Sequence, residues 1–289
     1  MASSSPNKLF RVLGIDVGIR ALGVCVVSGT SLAAAGRGLV TTKEDLLPWL
    51  RSADHAHWTI EYWELINVLN EGGSVAKDAT RVGDDTLLQL VRGCLLTRIN
   101  SGQLPLHTCT HVVVELQHRV NHQMESLGMA IAGYLSGLRD GRQWAIPESI
   151  RMQAGIVKRK LFECTEQAGD PHYPVIKQAQ NPRLQNKIRA LACVDWLMKG
   201  PAAARMEARW MAAYTGASVT RDQVRTKKGV KVISKVTEEK RDDMADALLH
   251  GLAKLWSLCQ PKRGPPRKKR ALAAAAVVVE EEEEEDEVL

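Results

Sequence analysis

Five acidic side chains stand out for where they sit. Asp16 interrupts the apolar run RVLGIDVGIRALGVCVVS (residues 11–28), Glu115 lies near the end of HVVVEL (111–116), and Asp242, Asp243 and Asp246 fall in KRDDMADALLHGL (240–252). A lone carboxylate inside an apolar strand is costly to bury unless something compensates it, and a bound cation does so. Mg²⁺ prefers carboxylate oxygens and keeps several of its waters. Two such ions about 4 Å apart activate a water and stabilise the leaving oxygen in phosphodiester cleavage. That chemistry needs three or four carboxylates delivered from separate elements to one point. Asp16, Glu115, Asp243 and Asp246 are the candidate catalytic residues and metal ligands, with Asp242 beside them. Each has an ordinary explanation alone: Asp16 as the cap of the turn after its strand, DDMAD as a solvated helix start whose acids suit the helix dipole. Together they point to a site.

Positioning these groups takes strands and a helix. Val12, Leu13 and Ile15 suit one buried strand, Val24, Val26 and Val27 a second, and Gly18 and Gly23 flank a reversal, so the spacing predicts an antiparallel hairpin. Three consecutive valines before Glu115 predict a central strand buried on both faces. The last helix is expected from Thr237 to about Leu258, with Met244, Ala245, Leu248, Leu249, Leu252, Leu255 and Trp256 as its apolar face. On an ideal helix Asp246 lies about 60° from Asp243 and about 40° from Asp242, so geometry leaves open which of the two joins it.

The rest of the chain is read more coarsely. A third strand is expected over 31–41, helices over 44–51, 58–69 and 121–138, and one running from a cap at Asp84 or Asp85 to about Ile99. A short strand is expected over 143–146, helices over 184–198 and 202–215, and a basic hairpin over 224–236 with its tip at KKG. The organisation predicted is a flexible lead (1–8), one α/β domain (9–260) carrying a helical insertion (42–105), and a disordered tail (261–289), basic and then acidic.

Net charge is +6, although residues 280–287 are all acidic, so the body is strongly basic. A basic body favours a polyanionic partner such as nucleic acid. Gln117, Lys158, Arg159, Lys160, Lys227 and Lys228 are the candidate nucleic-acid contacts; solvated surface is the alternative for each. His118 and His122 have the spacing of a helical metal pair but lack a third ligand of matching type. Six scattered cysteines without a CxxC pair point to reduced thiols, not to a disulfide frame or a thiolate zinc site. No apolar run is long enough to span a membrane. The first residues carry no secretory signal, which suggests an intracellular protein. The PKRGPPRKKR cluster is of nuclear-import or DNA-binding type.

The segments GIDVGIRALGVCVV, VVVELQHRVNHQMESLGMAIAGYL and KRDDMADALLHGL, in this order, resemble the RuvC-type Holliday-junction resolvases of the ribonuclease H-like superfamily. Glu115-x-Gln117 followed by Asn121 and Met124 is similar to the branch of poxvirus and fungal mitochondrial cruciform-cutting enzymes. The resemblance implies a ribonuclease H-like fold: a mixed sheet with an N-terminal antiparallel hairpin and helices on both faces. It implies a homodimeric endonuclease that resolves DNA four-way junctions with two Mg²⁺ ions, Mn²⁺ being able to substitute. It further implies a viral replication site or an organelle as possible settings, and its DxxD spacing selects Asp243 over Asp242. A ribonuclease H-like nuclease acting on RNA–DNA hybrid or other branched DNA, and a non-catalytic nucleic-acid-binding protein, are the alternatives.

Overall fold

The computed structural model describes residues 8–18, 21–30, 43–52, 57–68, 83–116, 122–140, 147–167, 173, 176, 179, 181–201, 206–227 and 230–259. In order the elements are β1 (Leu9–Val17), β2 (Ala21–Thr30), α1 (Lys43–Arg51), β3 (Thr59–Asn67), α2 (Asp84–Asn100), β4 (His111–Leu116), α3 (His122–Asp140), β5 (Ser149–Ala154), α4 (Ile156–Gln167), α5 (Pro182–Lys199), α6 (Ala208–Thr215), β6 (Ser218–Lys227), β7 (Val230–Glu239) and α7 (Arg241–Cys259). Five strands form one mixed sheet in the order β3-β2-β1-β4-β5. β1 pairs antiparallel with β2, and β2 with β3; β1 and β4, and β4 and β5, run parallel. This is the expected α/β architecture, a mixed sheet with the antiparallel hairpin at its start.

The apolar runs of β1, β2 and β4 have no polar face because helices cover both sides of the sheet. On one side lies α7, whose Met244, Ala247, Leu248, Leu252 and Leu255 are buried. α4 and α5 pack on α7 in turn. On the other side α3 buries Leu127, Ile131 and Leu135 against β4 and β5, with α2 behind it. Alternation along β1 puts Gly14 and Asp16 on the α7 side. A Cβ at Gly14 would overlap the carbonyl oxygen of Ala247, and one at Gly23 that of Asp243. The two glycines let the helix lie on the sheet backbone, and Trp63 Nε1 donates to the Met244 carbonyl at 2.9 Å on the same side. Gly14→Ala is therefore expected to lift α7 and destabilise the domain by about 3 kcal/mol, read as a lowered urea midpoint with an unchanged slope.

Several expectations are corrected. Residues 58–69 were predicted as an amphipathic helix; residues 59–67 form the edge strand β3. A bulge where β3 meets Val26 and Val27 of β2 breaks the alternation, and with burial on both faces the apolar spacing imitates a helical period. Its Thr, Ile, Tyr and Trp residues favour a strand. The segment 42–105 thus supplies a strand of the main sheet besides α1 and α2. The last helix begins at Arg241, not Thr237, because Thr237 pairs with Thr220 in the β6–β7 ribbon. Gly83, not an aspartate, holds the N-cap position of α2, and Asp84 and Asp85 lie in its first turn. The fifth strand is at 149–154; the strand expected at 143–146, the one at 31–41 and the tail lie outside the described residues. Among the described side chains, Cys25, Cys94, Cys109, Cys193 and Cys259 are free and buried. Among the described residues no helix is long and apolar enough to cross a membrane.

Candidate metal centre

Asp16 stands near the C-terminal end of β1 and Glu115 near that of the parallel strand β4, where Ile15 is in register with Val114. α7 starts beside these strand ends: the Gly23 contact sets Asp243 against the sheet, and Asp246 follows one turn later. Asp16, Glu115 and Asp246 each place one carboxylate oxygen within 4.8 Å of the others. Asp16 is only 6% exposed and Glu115 9%. The site is thus built from the α7-facing positions of two central strands and the first turns of α7, whose N-terminus favours negative charge.

Two lysines reach this cluster from the helices packed on α7. Lys158 of α4 is buried, its Nζ 3.0 Å from Glu115 Oε1 and 2.7 Å from Asp246 Oδ2. Lys187 of α5 pairs with Asp242. Asp243 lies 3.7 Å from Lys240 Nζ. His250, one turn after Asp246, is fully buried with Nε2 3.3 Å from Glu115 Oε1. Gln153 of β5, in register with Glu115, places its Nε2 3.3 Å from His250 Nδ1. A donor from Gln153 to Nδ1 leaves the imidazole proton on Nε2, facing Glu115.

The electrostatics follow from crowding carboxylates out of water. Burial first, then the negative charges of Glu115, Asp243 and Asp246, push Asp16 well above the usual carboxylate range. Burial opposes ionisation of Glu115 too, but the hydrogen bond from Asp16, the contact with His250 and the Lys158 ammonium outweigh it and hold Glu115 well below that range. Of the two, Asp16 is the carboxyl whose ionisation the site disfavours. Burial and the neighbouring Asp242 push Asp243 up to about 6, against Lys240 and Lys187. Asp246 is raised by burial and by Glu115, against Lys158. Burial disfavours charge on Lys158, yet Asp246, Glu115 and Asp16 more than compensate and raise its pKa.

The donor set fits a divalent cation. Three carboxylates from three elements, Asp16 and Glu115 buried and Asp246 half-buried, converge on one point with the Lys158 ammonium against two of them. Asp246 Oδ1 is buried with no hydrogen-bond partner among the described residues. A hard cation would satisfy that atom and permit Asp16 to ionise.

Asp16, Glu115, Asp243 and Asp246 are thus brought to one end of the sheet, while Asp242 is turned to Lys187. Lys158, expected at a phosphate or on a solvated face, instead holds two of the carboxylates. Arg159 follows it, half-buried. Lys227 ends β6, away from the five-stranded sheet in sequence and pairing; Gln117, Lys228, His118 and the side chain of Lys160 lie outside the described residues. His122 is exposed at the start of α3, its Nδ1 3.9 Å from Glu125. Sequence reasoning missed Gln153, Lys187, Lys240 and His250; the i,i+4 spacing of Asp246 and His250 was the one local signal.

No protein-family model matches this chain, and no curated protein sequence does. Among solved structures, it is similar to the yeast mitochondrial Holliday junction resolvase Ydc2, with TM-score 0.45 and 13% identity over 86% of this chain and 81% of that one. It is also similar to T. thermophilus RuvC in complex with a Holliday junction substrate, with TM-score 0.30 and 12% identity over 65% of this chain and 94% of that one. A further Thermus thermophilus RuvC structure gives TM-score 0.31 and 12% identity, covering 66% and 95%.

Proposed function

We propose that this chain is a divalent-metal-dependent endonuclease that cuts branched DNA, with the four-way junction as its substrate, Mg²⁺ as its ion and a homodimer as its working form. One observation carries the reading: Asp16, Glu115 and Asp246, far apart in sequence, meet with one carboxylate oxygen from each within 4.8 Å of the others. Asp16, Glu115 and Asp246 are the ligands, with Asp243 preferred over Asp242 as the fourth, because Asp243 and not Asp242 contributes to the field on Asp16. Bound metal would supply an activated water and stabilise the leaving oxygen.

The chain's own residues prepare the site. His250 and Lys158 fix the Glu115 carboxylate from two sides, and Lys158 also anchors Asp246. Asp16 must lose its proton before it can ligate, so metal affinity rises with pH while Asp16 and Asp243 ionise. Arg159, Lys160 and Gln117 flank the site in sequence and supply phosphate contacts from the basic body. Symmetric cuts in opposed strands call for two sites related by a two-fold axis.

Cleavage assays on four-way junction, flap and RNA–DNA hybrid, each with Mg²⁺ and with EDTA, test this reading. Metal-dependent cleavage of the junction in preference to the other two is expected. Cleavage of hybrid alone would shift the substrate, and no metal-dependent cleavage of any of them would leave a binding protein.

A further inference from the structure

The first turn of α7 carries Asp242 and Asp243, and its own helical bonding is weak there. The Met244 amide reaches the Lys240 carbonyl only at 3.5 Å, long for a helical hydrogen bond. The turn is held instead from outside. The carbonyl oxygen of Asp243 sits where a Cβ of Gly23 would be, and Trp63 Nε1 donates to the Met244 carbonyl at 2.9 Å. A third contact grips the side away from Asp243: on an ideal helix Arg241 lies about 160° round from that residue.

Arg241 Nη2 lies 3.1 Å and 3.0 Å from the two carboxylate oxygens of Asp195 on α5, and its Nε lies 3.0 Å from Glu239 Oε1. The Tyr214 hydroxyl of α6 donates to the same Asp195 Oδ1 at 2.9 Å. The guanidinium also lies over the Tyr214 ring, 4.9 Å from its centroid, an attraction to the ring face. Tyr214 in turn stacks on Trp63 of β3, centroids 4.8 Å apart and planes 16° from parallel. The contacts close a ring from α7 through α5, α6 and β3 back to α7, with both Tyr214 and Trp63 buried. Arg241 thus spends its charge on two acids and its face on Tyr214, which is the placement of an anchor and not of a phosphate contact. The precision this anchor gives matters at a metal site. A carboxylate about 5 Å from the helix axis moves about 1 Å when the turn rotates by roughly 10°, several times the tolerance of about 0.2 Å on a metal–oxygen distance.

We infer that Asp195, Tyr214 and Arg241 form a positioning unit that sets the rotation of the first turn of α7 and so aims Asp243, not Asp242, at the cluster of Asp16, Glu115 and Asp246; this rests on the metal reading for what Asp243 meets there. The test uses the full-length protein, with Mn²⁺ affinity read from the EPR signal of the free ion, in the unaltered background and in Asp243→Asn. Arg241→Met keeps the stem and removes the guanidinium. It is expected to weaken Mn²⁺ binding about tenfold in the unaltered background. In Asp243→Asn it should cost nothing further, because a residue that acts through Asp243 loses its effect once that carboxylate is gone. Tyr214→Phe keeps the ring and removes the hydroxyl on Asp195; it should show the same pattern with a smaller loss, and it carries the cycle if Arg241→Met does not fold. Losses equal in both backgrounds, or absent from both, overturn the unit. Junction binding in EDTA across a KCl series should keep its slope in Arg241→Met; a slope lowered by about 1 marks Arg241 as a phosphate contact and also overturns it. Hydrogen exchange in EDTA reads the turn without metal. The amides of residues 244–247 should exchange about tenfold faster in Arg241→Met, and unchanged exchange overturns the unit. An unaltered protein that binds no Mn²⁺, in which Arg241→Met still speeds exchange, loses the metal reading and keeps the unit; one that binds Mn²⁺ with no effect of Arg241→Met keeps the metal reading and loses the unit.

Discussion

Asp16→Asn and Glu115→Gln are each expected to reduce junction cleavage by about a thousandfold or more, roughly 4 kcal/mol of transition-state stabilisation, with junction affinity in EDTA close to that of the unaltered protein. The split follows from the division of labour in the site. Binding comes from Lys and Arg on phosphates, whereas these two carboxylates are buried and face one another and Asp246. The first substitution carries an opposite stability signature. Asp16 is the carboxyl whose ionisation burial and three neighbouring acids oppose most, so an amide there relieves repulsion. Asp16→Asn should leave the metal-free protein at least as stable at neutral pH and abolish its stabilisation by Mn²⁺. Sites kept for function are commonly strained in this way. A variant that still cuts near the wild-type rate removes Asp16 from the metal site; one that melts far below the wild type marks it as a structural residue.

The strands that carry the site were legible because their signals are local. Val112, Val113 and Val114 in a row mean a strand with two buried faces, and the glycines after Asp16 mark the reversal of a hairpin. The aspartates of α7 could be placed on one side of a helix from periodicity, but choosing between Asp242 and Asp243 needed Lys187, 55 residues away in sequence. Lys158 looked like any surface lysine because what buries its ammonium is Glu115, 43 residues earlier, and Asp246 on α7. β3 was misread since a bulge and two-sided burial erase the period on which such readings depend. Local pattern shows which segments are buried and where a charge interrupts them; the partners of that charge are set by topology.

Lys158→Met should destabilise the metal-free protein by about 3 kcal/mol at pH 7.5, and divalent metal should recover most of the loss. Methionine keeps the buried stem and its packing, so what is removed is the ammonium between Glu115 and Asp246. Breaking a buried ion pair from one side leaves the other charge unpaired and costs about 3–5 kcal/mol. The loss depends on pH with a definite sign. Folded carboxyls raised above their ordinary range, Asp16 and Asp246 among them and Asp243 to about 6, bind more protons than the unfolded chain does. Their contribution is present below about pH 4 and is lost as pH rises through each folded pKa, about 6 for Asp243, at up to about 1.4 kcal/mol per pH unit for each group. Without the ammonium these carboxyls hold their protons to higher pH still. The deficit of the variant should therefore be small at pH 5 and large at pH 7.5. Mn²⁺ or Mg²⁺ binds the folded state alone and adds stability that grows with the logarithm of its concentration; the gain should be larger for the variant, in which no ammonium competes for the carboxylate oxygens. Urea titrations at the two pH values, with EDTA and with 10 mM Mn²⁺ (a concentration on the order of those at which weak divalent sites fill), decide the matter. A deficit equal at both pH values and untouched by metal would mean that Lys158 acts through packing, and that the acidic cluster is not short of positive charge.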